Sequence, residues 1–293
     1  MPSMLTLESQ RPVKPEQVVV MGAGGFVGRA SSRLLEATGI AVTRLTRKEV
    51  DLLTADAAGR LASFLSPEIT LVVTSALAPC KNIPMLLDNL RMMEAVIGAV
   101  KSSPVRHLLY VSSDAVYKDS SQPLNEASCA EPASLHGVMH LTREVMLKSE
   151  LPDVPQVFVR PTLIFGPGDP HNGYGPNRFM RLASQGEDIV LFGEGEELRD
   201  HIFIEDVAEI VRRCVVHRAT GVVNAVTGIV TSFRTIAGMA AACFEPRVRV
   251  RGSPRQGPMP HGGYRAFDCS MLRQAFPDFK PITLAEGLDL MGR

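Results

Sequence analysis

Apolar and polar positions in the first half of the chain follow two alternating periods. Short, nearly continuous apolar runs such as QVVVMG (17–22), ITLVVTSA (69–76) and VRHLLYVSS (105–113) are typical of strands buried on both faces. Between them lie segments with a helical spacing of apolar residues, for example 24–39 and 83–103. Strands that alternate with helices in this way predict an α/β fold with a doubly wound parallel sheet.

The second half of the chain mixes its elements more closely. The apolar run PQVFVRPTLIFG (155–166) predicts one further strand, and the Gly- and Pro-rich stretch that follows it predicts a loop over a site or a hinge. Shorter strand-like and helix-like segments continue from there. We therefore predict a loose leader over 1–16, a main domain over 17–166 and a smaller C-terminal α/β lobe over 167–293, interleaved with the main domain.

Composition and charge narrow the classes of function. Lys and Arg together number 31, as do Asp and Glu, so the formal net charge is zero. A balanced charge argues against nucleic acid or an acidic membrane surface as a partner. No apolar run approaches membrane-spanning length, and the segment 1–16 lacks the pattern of a signal peptide. The five cysteines form no CxxC pair, which favours reduced thiols in a cytoplasmic protein.

The first strand ends in a glycine-rich turn. In VVVMGAGGFVGRA, Gly22, Gly25 and Gly28 follow the strand and open a helix. Glycines at this spacing allow a tight turn and let the backbone approach a pyrophosphate, which then lies at the helix N-terminus. The strand–turn–helix context predicts that residues 17–166 form a dinucleotide-binding (Rossmann) domain.

The end of the second strand bears on which dinucleotide binds. An acidic side chain there would bind the hydroxyls of the adenosine ribose, but the segment RLTR has Arg47 and no acid. An arginine can neutralise a 2′-phosphate and stack on adenine, so we expect NADP, with NAD as the alternative. Asp51 and Leu52 follow and are expected to close over the adenine.

Longer motifs succeed one another along the chain: GAGGFVG, LLYVSSDAVY, VRPTLIFGPGDP and GEGEELRDHIFIEDVAEIV. In this order they resemble the extended short-chain dehydrogenase/reductases, the NAD(P)-dependent epimerases and dehydratases that modify nucleotide sugars. Ser113 then stands in the place of the catalytic Ser or Thr. The resemblance implies epimerisation of a nucleotide-activated sugar or reduction of a keto-sugar, with a substrate lobe over 167–293.

The resemblance also assigns residues to two binding sites. Substrate contacts are implied for Arg199, which would bind the diphosphate, for Phe192 near the base, and for Tyr174. Cofactor contacts are implied for Gly22, Gly25, Phe26, Val27, Gly28, Arg47, Asp51, Leu52, Ser75, Ala76, His140 and Pro161.

A homodimer is the assembly that the resemblance implies. The helix containing PMLLDNLRMMEAVIGAV (84–100) and the helix over 134–148 would pair across a two-fold axis into a four-helix bundle. Adaptable apolar contacts are expected there from four methionines. These are Met85, Met92, Met93 and Met139.

The chain departs from the family at one pair of positions. The family's Tyr-x-x-x-Lys falls on His136 and His140 in the segment HGVMH. In the family the tyrosine carries a proton during hydride transfer, and the lysine lowers the tyrosine pKa and holds the nicotinamide ribose. A histidine has an ordinary pKa of about 6.5, so we expect His136 to carry the proton, assisted by Ser113. We expect His140 to hydrogen-bond the ribose.

The residues leave other interpretations open. The acid/base could instead be Asp114, directly after Ser113, or His171 or Tyr174 in the Gly-rich loop. Ala115 stands where dehydratases of the family have a glutamate, which argues against 4,6-dehydration. The chain could also be a catalytically silent protein that binds NAD(P) and a nucleotide sugar. Histidines at i and i+4 would suit zinc, but there is no HExxH glutamate and no evident third ligand, so no metal is predicted.

Overall fold

The computed structural model describes residues 5–292, which form three sheets flanked by helices. The strands are β1 (Thr6–Leu7), β2 (Gln17–Met21), β3 (Val42–Leu45), β4 (Ile69–Val73), β5 (His107–Val111), β6 (Gln156–Pro161), β7 (Leu163–Phe165), β8 (Ile189–Phe192), β9 (Leu198–Phe203), β10 (Ala219–Ala225), β11 (Val230–Ser232), β12 (Val250–Ser253) and β13 (Tyr264–Arg265). The helices are α1 (Phe26–Ala37), α2 (Ala57–Ala62), α3 (Ile83–Ser102), α4 (Leu135–Glu150), α5 (Pro176–Ser184), α6 (Ile204–Val216), α7 (Phe233–Ala242), α8 (Ser270–Ala275) and α9 (Leu284–Gly292). Short 3-10 turns lie at Asp114–Val116 and Pro260–Gly263.

The largest sheet has seven strands in the order β1-β10-β6-β5-β4-β2-β3. All neighbours are parallel except the pair β1 and β10. The chain order reverses at β2, because β3 lies on one side of it and β4 on the other. In such sheets a ligand binds beyond the carboxyl ends of the strands at this reversal. The predicted doubly wound parallel sheet is confirmed.

Helices cover both faces of this sheet. On one face Val18 and Val20 of β2 belong to a core that also contains Val207 of α6. On the other face Val19 of β2 belongs to a core with Met93 of α3, and α2 and α4 contribute to the same core. Because the strands are buried on both faces, their sequences read as nearly continuous apolar runs.

The C-terminal part has its own core, built by α5, α7 and α9 around β8 and β9. Strands β11, β9 and β13 form a sheet there, and β7 joins it by pairing with β9. The same part of the chain also returns to the large sheet, because α6 packs on one face and β10 pairs with β6. The C-terminal core is therefore connected to the large sheet through shared segments of chain.

The run 155–166, predicted as one strand, is two strands in different sheets. β6 pairs with β5 and β10, whereas β7 pairs with β9. Between them Thr162 donates its hydroxyl to the carbonyl oxygen of Asp200 at 3.1 Å. The prediction of a single strand is wrong because a continuous apolar run does not show where a strand changes its neighbours.

The prediction of a loose leader is wrong for the described part of that segment. β1 pairs antiparallel with β10 at the edge of the large sheet. The backbone N–H of Ser9 donates to the carbonyl oxygen of His217, and the backbone N–H of Val13 donates to the carbonyl oxygen of Val216 at 2.8 Å. These backbone hydrogen bonds attach the segment to the domain. Residues 1–4 lie outside the described residues.

Two further observations concern the chain as a whole. No helix within residues 5–292 combines the length and apolar character needed to cross a membrane. All five cysteines are free thiols, of which Cys129 and Cys243 are exposed and the other three are buried.

Candidate active site

A cleft of about 610 Å³ lies at the carboxyl ends of the strands of the large sheet and is lined by residues of that sheet's domain and of the C-terminal part. Gly25 and Gly28 at the start of α1 line it, as do Ser113, His136 and Arg199. Some of the predicted cofactor, catalytic and substrate residues therefore meet in one cleft. Further predicted residues on its wall are Phe26, Val27, Ala76, His140, Pro161, Tyr174, Asp114 and His171.

The glycine turn has no room for larger residues. Gly22 has a φ of 96°, and a Cβ there would lie 2.6 Å from the backbone nitrogen of Ser75. A Cβ at Gly28 would lie 2.2 Å from the carbonyl oxygen of Gly22. Gly25 begins α1 without a side-chain cap, so the first N–H groups of the helix stay available to an anion.

Helix α4 positions both histidines. Its first turn is capped by Ser134, whose hydroxyl accepts the N–H of Gly137 at 3.2 Å. Gly137 packs directly on the turn that follows β5, where a Cβ would lie 2.0 Å from the carbonyl oxygen of Ala115. This close approach holds α4 beside Ser113, so that His136 and Ser113 line the same cleft.

The ring of His136 is half-buried and makes one weak hydrogen bond. Its Nδ1 accepts the backbone N–H of Cys80 at 3.4 Å, which is near the limit for such a bond. Burial lowers the pKa of His136 below 6.5; the charge of Asp114 opposes this shift and His171 adds to it. His136 is therefore neutral at pH 7, and the weak bond leaves its ring nitrogens able to exchange a proton.

His140 lies one turn further along α4 and reaches into the protein. It is 5% exposed, and its ring stands at 89° to the ring of His136 with centroids 4.7 Å apart. Its Nδ1 lies 2.7 Å from the hydroxyl of Tyr110 on β5. Within residues 5–292 no three His, Cys, Asp or Glu side chains are grouped to hold a metal ion.

The carboxylate of Asp114 forms an ion pair with Arg265 of the C-terminal part. Its Oδ2 pairs with Nε of Arg265 at 2.8 Å, and the same guanidinium donates to the Asp114 carbonyl oxygen. Arg265 is 2% exposed. The ion pair ties the turn after β5 to β13, which argues against Asp114 as the acid/base.

Sequence reasoning missed a polar chain beside this ion pair. Arg265 also donates to Asp119 at 2.9 Å, and the Asp119 carboxylate lies 2.5 Å from Nδ1 of His261. His261 lines the cleft and has a φ of 55°, which is uncommon outside glycine. His261 and Asp119 are 142 residues apart, so no local pattern could have revealed their pairing.

At the substrate end, Arg199 projects from β9 into the cleft. It pairs with Glu197 at 3.0 Å, while its Nε is buried and has no hydrogen-bond partner within residues 5–292. Tyr174 stacks on Phe192 with ring centroids 4.5 Å apart, and the Tyr174 hydroxyl accepts the backbone N–H of Phe192 at 3.0 Å. The Phe192 side chain is 56% exposed and does not itself line the cleft.

The residues predicted around the adenosine lie outside this cleft. Arg47 is mostly exposed and pairs with Asp51 at 2.9 Å. The side chain of Leu52 is buried in the core, which leaves only its backbone for a ligand. No acid directly follows β3 in the sequence, but Glu49 folds back to the end of that strand and accepts both the N–H and the hydroxyl of Thr46.

The methionines predicted at a dimer surface are mostly core residues. Met92, Met93 and Met139 are at most 8% exposed within the single chain. The prediction is wrong for these three because a flexible apolar side chain suits a core as well as an interface. Met85 is half-buried.

A doubly wound sheet with a glycine turn at its reversal is typical of dinucleotide-binding domains, and comparison with known proteins identifies the family. Residues 18–227 match the model of the NAD dependent epimerase/dehydratase family. The chain belongs to this family, which is of the extended short-chain dehydrogenase/reductase kind.

Solved structures share the fold at low sequence identity. UDP-glucose 4-epimerase from Thermotoga maritima is 19% identical, with a TM-score of 0.82 over 94% of this chain and 97% of that one. A GDP-L-fucose synthetase from Naegleria fowleri is 17% identical, with a TM-score of 0.86 over 97% and 95%. UDP-N-acetylglucosamine 4-epimerase from Methanobrevibacter ruminantium is 21% identical, with a TM-score of 0.80 over 96% and 98%.

Proposed function

We propose that this protein is an NAD(P)-dependent enzyme that epimerises a nucleotide-activated sugar or reduces a keto-sugar, with His136 as proton carrier. One observation carries the proposal: His136 and Ser113 line the same cleft as the glycine turn and Arg199. That arrangement supports a proton carrier between a dinucleotide site and an anion site.

The glycine turn fits a nicotinamide dinucleotide. Any Cβ at Gly22 or Gly28 would fill the turn, and the uncapped start of α1 offers N–H donors to a pyrophosphate. When bound, the cofactor would accept and return a hydride. Among structures of this fold, the fucose synthetase was solved with NADP and UDP-glucuronic acid 4-epimerase from Bacillus cereus with NAD. We favour NADP because the terminal nitrogens of Arg47 make no hydrogen bond within residues 5–292.

The substrate end suits a nucleotide diphosphate. A buried donor without a partner is costly unless a ligand supplies the acceptor, and Nε of Arg199 is such a donor. The stacked rings of Tyr174 and Phe192 offer an aromatic face for a base. The T. maritima epimerase was solved with UDP-glucose, a ligand of this chemistry.

His136 supplies the proton exchange in this proposal. Its lowered pKa makes it a neutral base at pH 7, ready to accept a proton from a sugar hydroxyl. As an imidazolium it could return that proton to a keto oxygen. The hydroxyl of Ser113, anchored by accepting the N–H of Ala115 at 3.1 Å, can hydrogen-bond the same sugar oxygen.

The test is turnover of the His136→Gln variant with UDP-glucose, UDP-N-acetylglucosamine and UDP-glucuronic acid, followed by chromatography of the sugar nucleotides. We expect kcat to fall by about 10²–10⁴, the usual contribution of a positioned acid/base. His217→Gln removes a histidine at the distant β1 edge, where it bonds to Ser9, and serves as the matched control.

Three outcomes would contradict parts of the proposal. Unchanged turnover in His136→Gln would move the acid/base elsewhere, and His171→Gln would then be tested next. Binding of both cofactor and nucleotide sugar by the parent without any turnover would favour a catalytically silent binding protein. The absence of affinity for every nucleotide sugar would reject the substrate class.

We also propose a homodimer through α3 and α4. Ile83, Leu87 and Val145 on these helices are exposed by 64%, 46% and 56%. Large apolar side chains exposed on two adjacent helices suit a self-complementary contact. A monomeric mass in sedimentation at micromolar concentration would reject the dimer, and Val145→Glu should dissociate it.

A further inference from the structure

The residue in the place of the family's lysine is part of a buried group of three side chains. His140 is 5% exposed, and its partners Tyr110 and Arg143 are fully buried. The hydroxyl of Tyr110 lies 2.7 Å from Nδ1 of His140, and the guanidinium carbon of Arg143 lies 5.0 Å from the centre of the Tyr110 ring. The three residues sit on α4 and β5, and of the three His140 lines the cleft.

The direction of the Tyr110–His140 hydrogen bond follows from the protonation states of the two groups. Burial raises the pKa of Tyr110 to about 12, so the phenol keeps its proton at neutral pH. Burial, and after it the charges of His136 and Arg143, hold the pKa of His140 well below 6.5. Within residues 5–292, Nδ1 of His140 is the one acceptor that the phenol proton reaches, so we assign Tyr110 as the donor and Nδ1 of His140 as the acceptor. The single proton of the neutral imidazole must then be on Nε2.

Arg143 is a buried cation that has no counter-ion within residues 5–292. Its guanidinium donates to the carbonyl oxygen of Ser75 at 2.9 Å and contacts the sulfur of Met139, while its Nε has no hydrogen-bond partner within residues 5–292. Within that range it also has no carboxylate within salt-bridge distance. Burying an unpaired charge is expensive, so its presence calls for an explanation. Ser75 follows β4 and directly precedes Ala76 of the cleft wall.

We propose that Tyr110, His140 and Arg143 act as one unit that replaces the missing lysine. Arg143 supplies a fixed positive charge behind the cleft wall, and Tyr110 holds His140 as a neutral Nε2–H donor toward the cleft. The Nε2–H group would donate a hydrogen bond to the nicotinamide ribose, and this choice of ligand rests on the proposed function. Tyr110 and Arg143 are positioning residues, because each acts through His140 or through its charge.

The chain contains a matched control for Tyr110. Tyr117 is also buried, its hydroxyl donates to Asn224 at 2.7 Å, and the guanidinium carbon of Arg160 lies 4.9 Å from the centre of its ring. Tyr117→Phe thus removes an equally buried hydroxyl that has no histidine partner. Its ring is absent from the cleft wall.

Nitrogen NMR of protein labelled with ¹⁵N-histidine tests the tautomer directly at pH 7, with His140→Gln for assignment. We expect Nδ1 of His140 to be unprotonated and Nε2 protonated in the parent and in Tyr117→Phe. In Tyr110→Phe the donor is lost, so the single tautomer should give way to a mixture. Protonated Nδ1 in the parent, or an unchanged tautomer in Tyr110→Phe, would overturn the proposal.

Cofactor binding provides the second readout. Tyr110→Phe should weaken nicotinamide nucleotide binding by about two- to tenfold, the usual effect of one hydrogen bond, while Tyr117→Phe leaves it unchanged. A fixed positive charge repels the cationic nicotinamide of the oxidised cofactor. Arg143→Gln removes this charge and should raise the affinity for the oxidised cofactor, relative to the reduced one, by about twofold or more. Arg143→Lys keeps the charge and serves as the comparison. An unchanged ratio of the two affinities would refute the role of Arg143. Failure of the parent to bind any nicotinamide nucleotide would reject the proposed function, while the NMR result would still decide the tautomer.

Discussion

Restoring the family's lysine should destabilise this protein because Arg143 already provides the buried charge. In His140→Lys, an ammonium would replace a neutral ring that is 5% exposed. His140 and Arg143 are three apart on α4, where Cβ atoms are about 5–6 Å apart, and we take this spacing as the separation of the two charges. Two unit charges about 5.5 Å apart repel by about 3 kcal/mol at an effective dielectric constant of about 20. Either the variant bears this repulsion or the lysine loses its proton, and both lower the free energy of unfolding.

The size of the effect is measurable by thermal unfolding. With an unfolding entropy of about 2.1 cal/mol/K per residue over 293 residues, a loss of 3 kcal/mol lowers Tm by about 5 °C. A double-mutant cycle isolates the repulsion: His140→Lys/Arg143→Leu should recover about 3 kcal/mol relative to the sum of the single changes. The pair His140→Lys/Tyr117→Phe should be additive. A fully stable His140→Lys variant, or a cycle with no coupling to Arg143, would refute the reasoning.

Three further predictions concern the cofactor, the substrate and acid stability. Arg47→Ala should remove the preference for NADP over NAD in titration calorimetry. Asp51→Asn should increase that preference, because it removes a negative charge beside Arg47. Equal binding of the two cofactors by the parent would contradict both expectations. Arg199→Ala should weaken UDP-sugar binding at least about tenfold, since it removes a charged hydrogen bond, while cofactor affinity stays constant. Burial lowers the pKa of His107 from 6.5 to about 4, so its stabilisation is complete above pH 6.5 and is lost as the pH falls toward 4. His107→Gln should therefore reduce the loss of unfolding free energy between pH 6.5 and 4 by up to about 3 kcal/mol, and an unchanged pH dependence of stability would count against this assignment.

Much of the large sheet could be predicted because its signal is local. A strand buried on both faces must be apolar at nearly every position, and β2, β4 and β5 are so in the sequence itself. The glycine turn is largely local, because Gly22 and Gly28 are required by close contacts within one strand–turn–helix unit and with the residues that follow β4. The spacing around Gly137 likewise fixed the position of the two histidines on α4.

Tertiary structure decided which side chains meet. Whether a methionine on α3 faces the core or solvent depends on the packing of the helix, and a flexible apolar side chain suits either. The break at Thr162 depends on β9, which arrives from a later part of the chain. The attachment of the first residues depends on β10, more than 200 positions away in sequence.

The same division holds for the site. The sequence by itself determined that two imidazoles replace a phenol and an ammonium on one face of a helix. It could not show that Tyr110 on β5 hydrogen-bonds His140, or that Arg143 is buried. Neither the hydrogen bond nor the burial can be predicted from the spacing of residues along the chain. Hydrogen bonds and charge effects act over a few ångströms in space, and only the packing of α4 on β5 brings these groups within that distance.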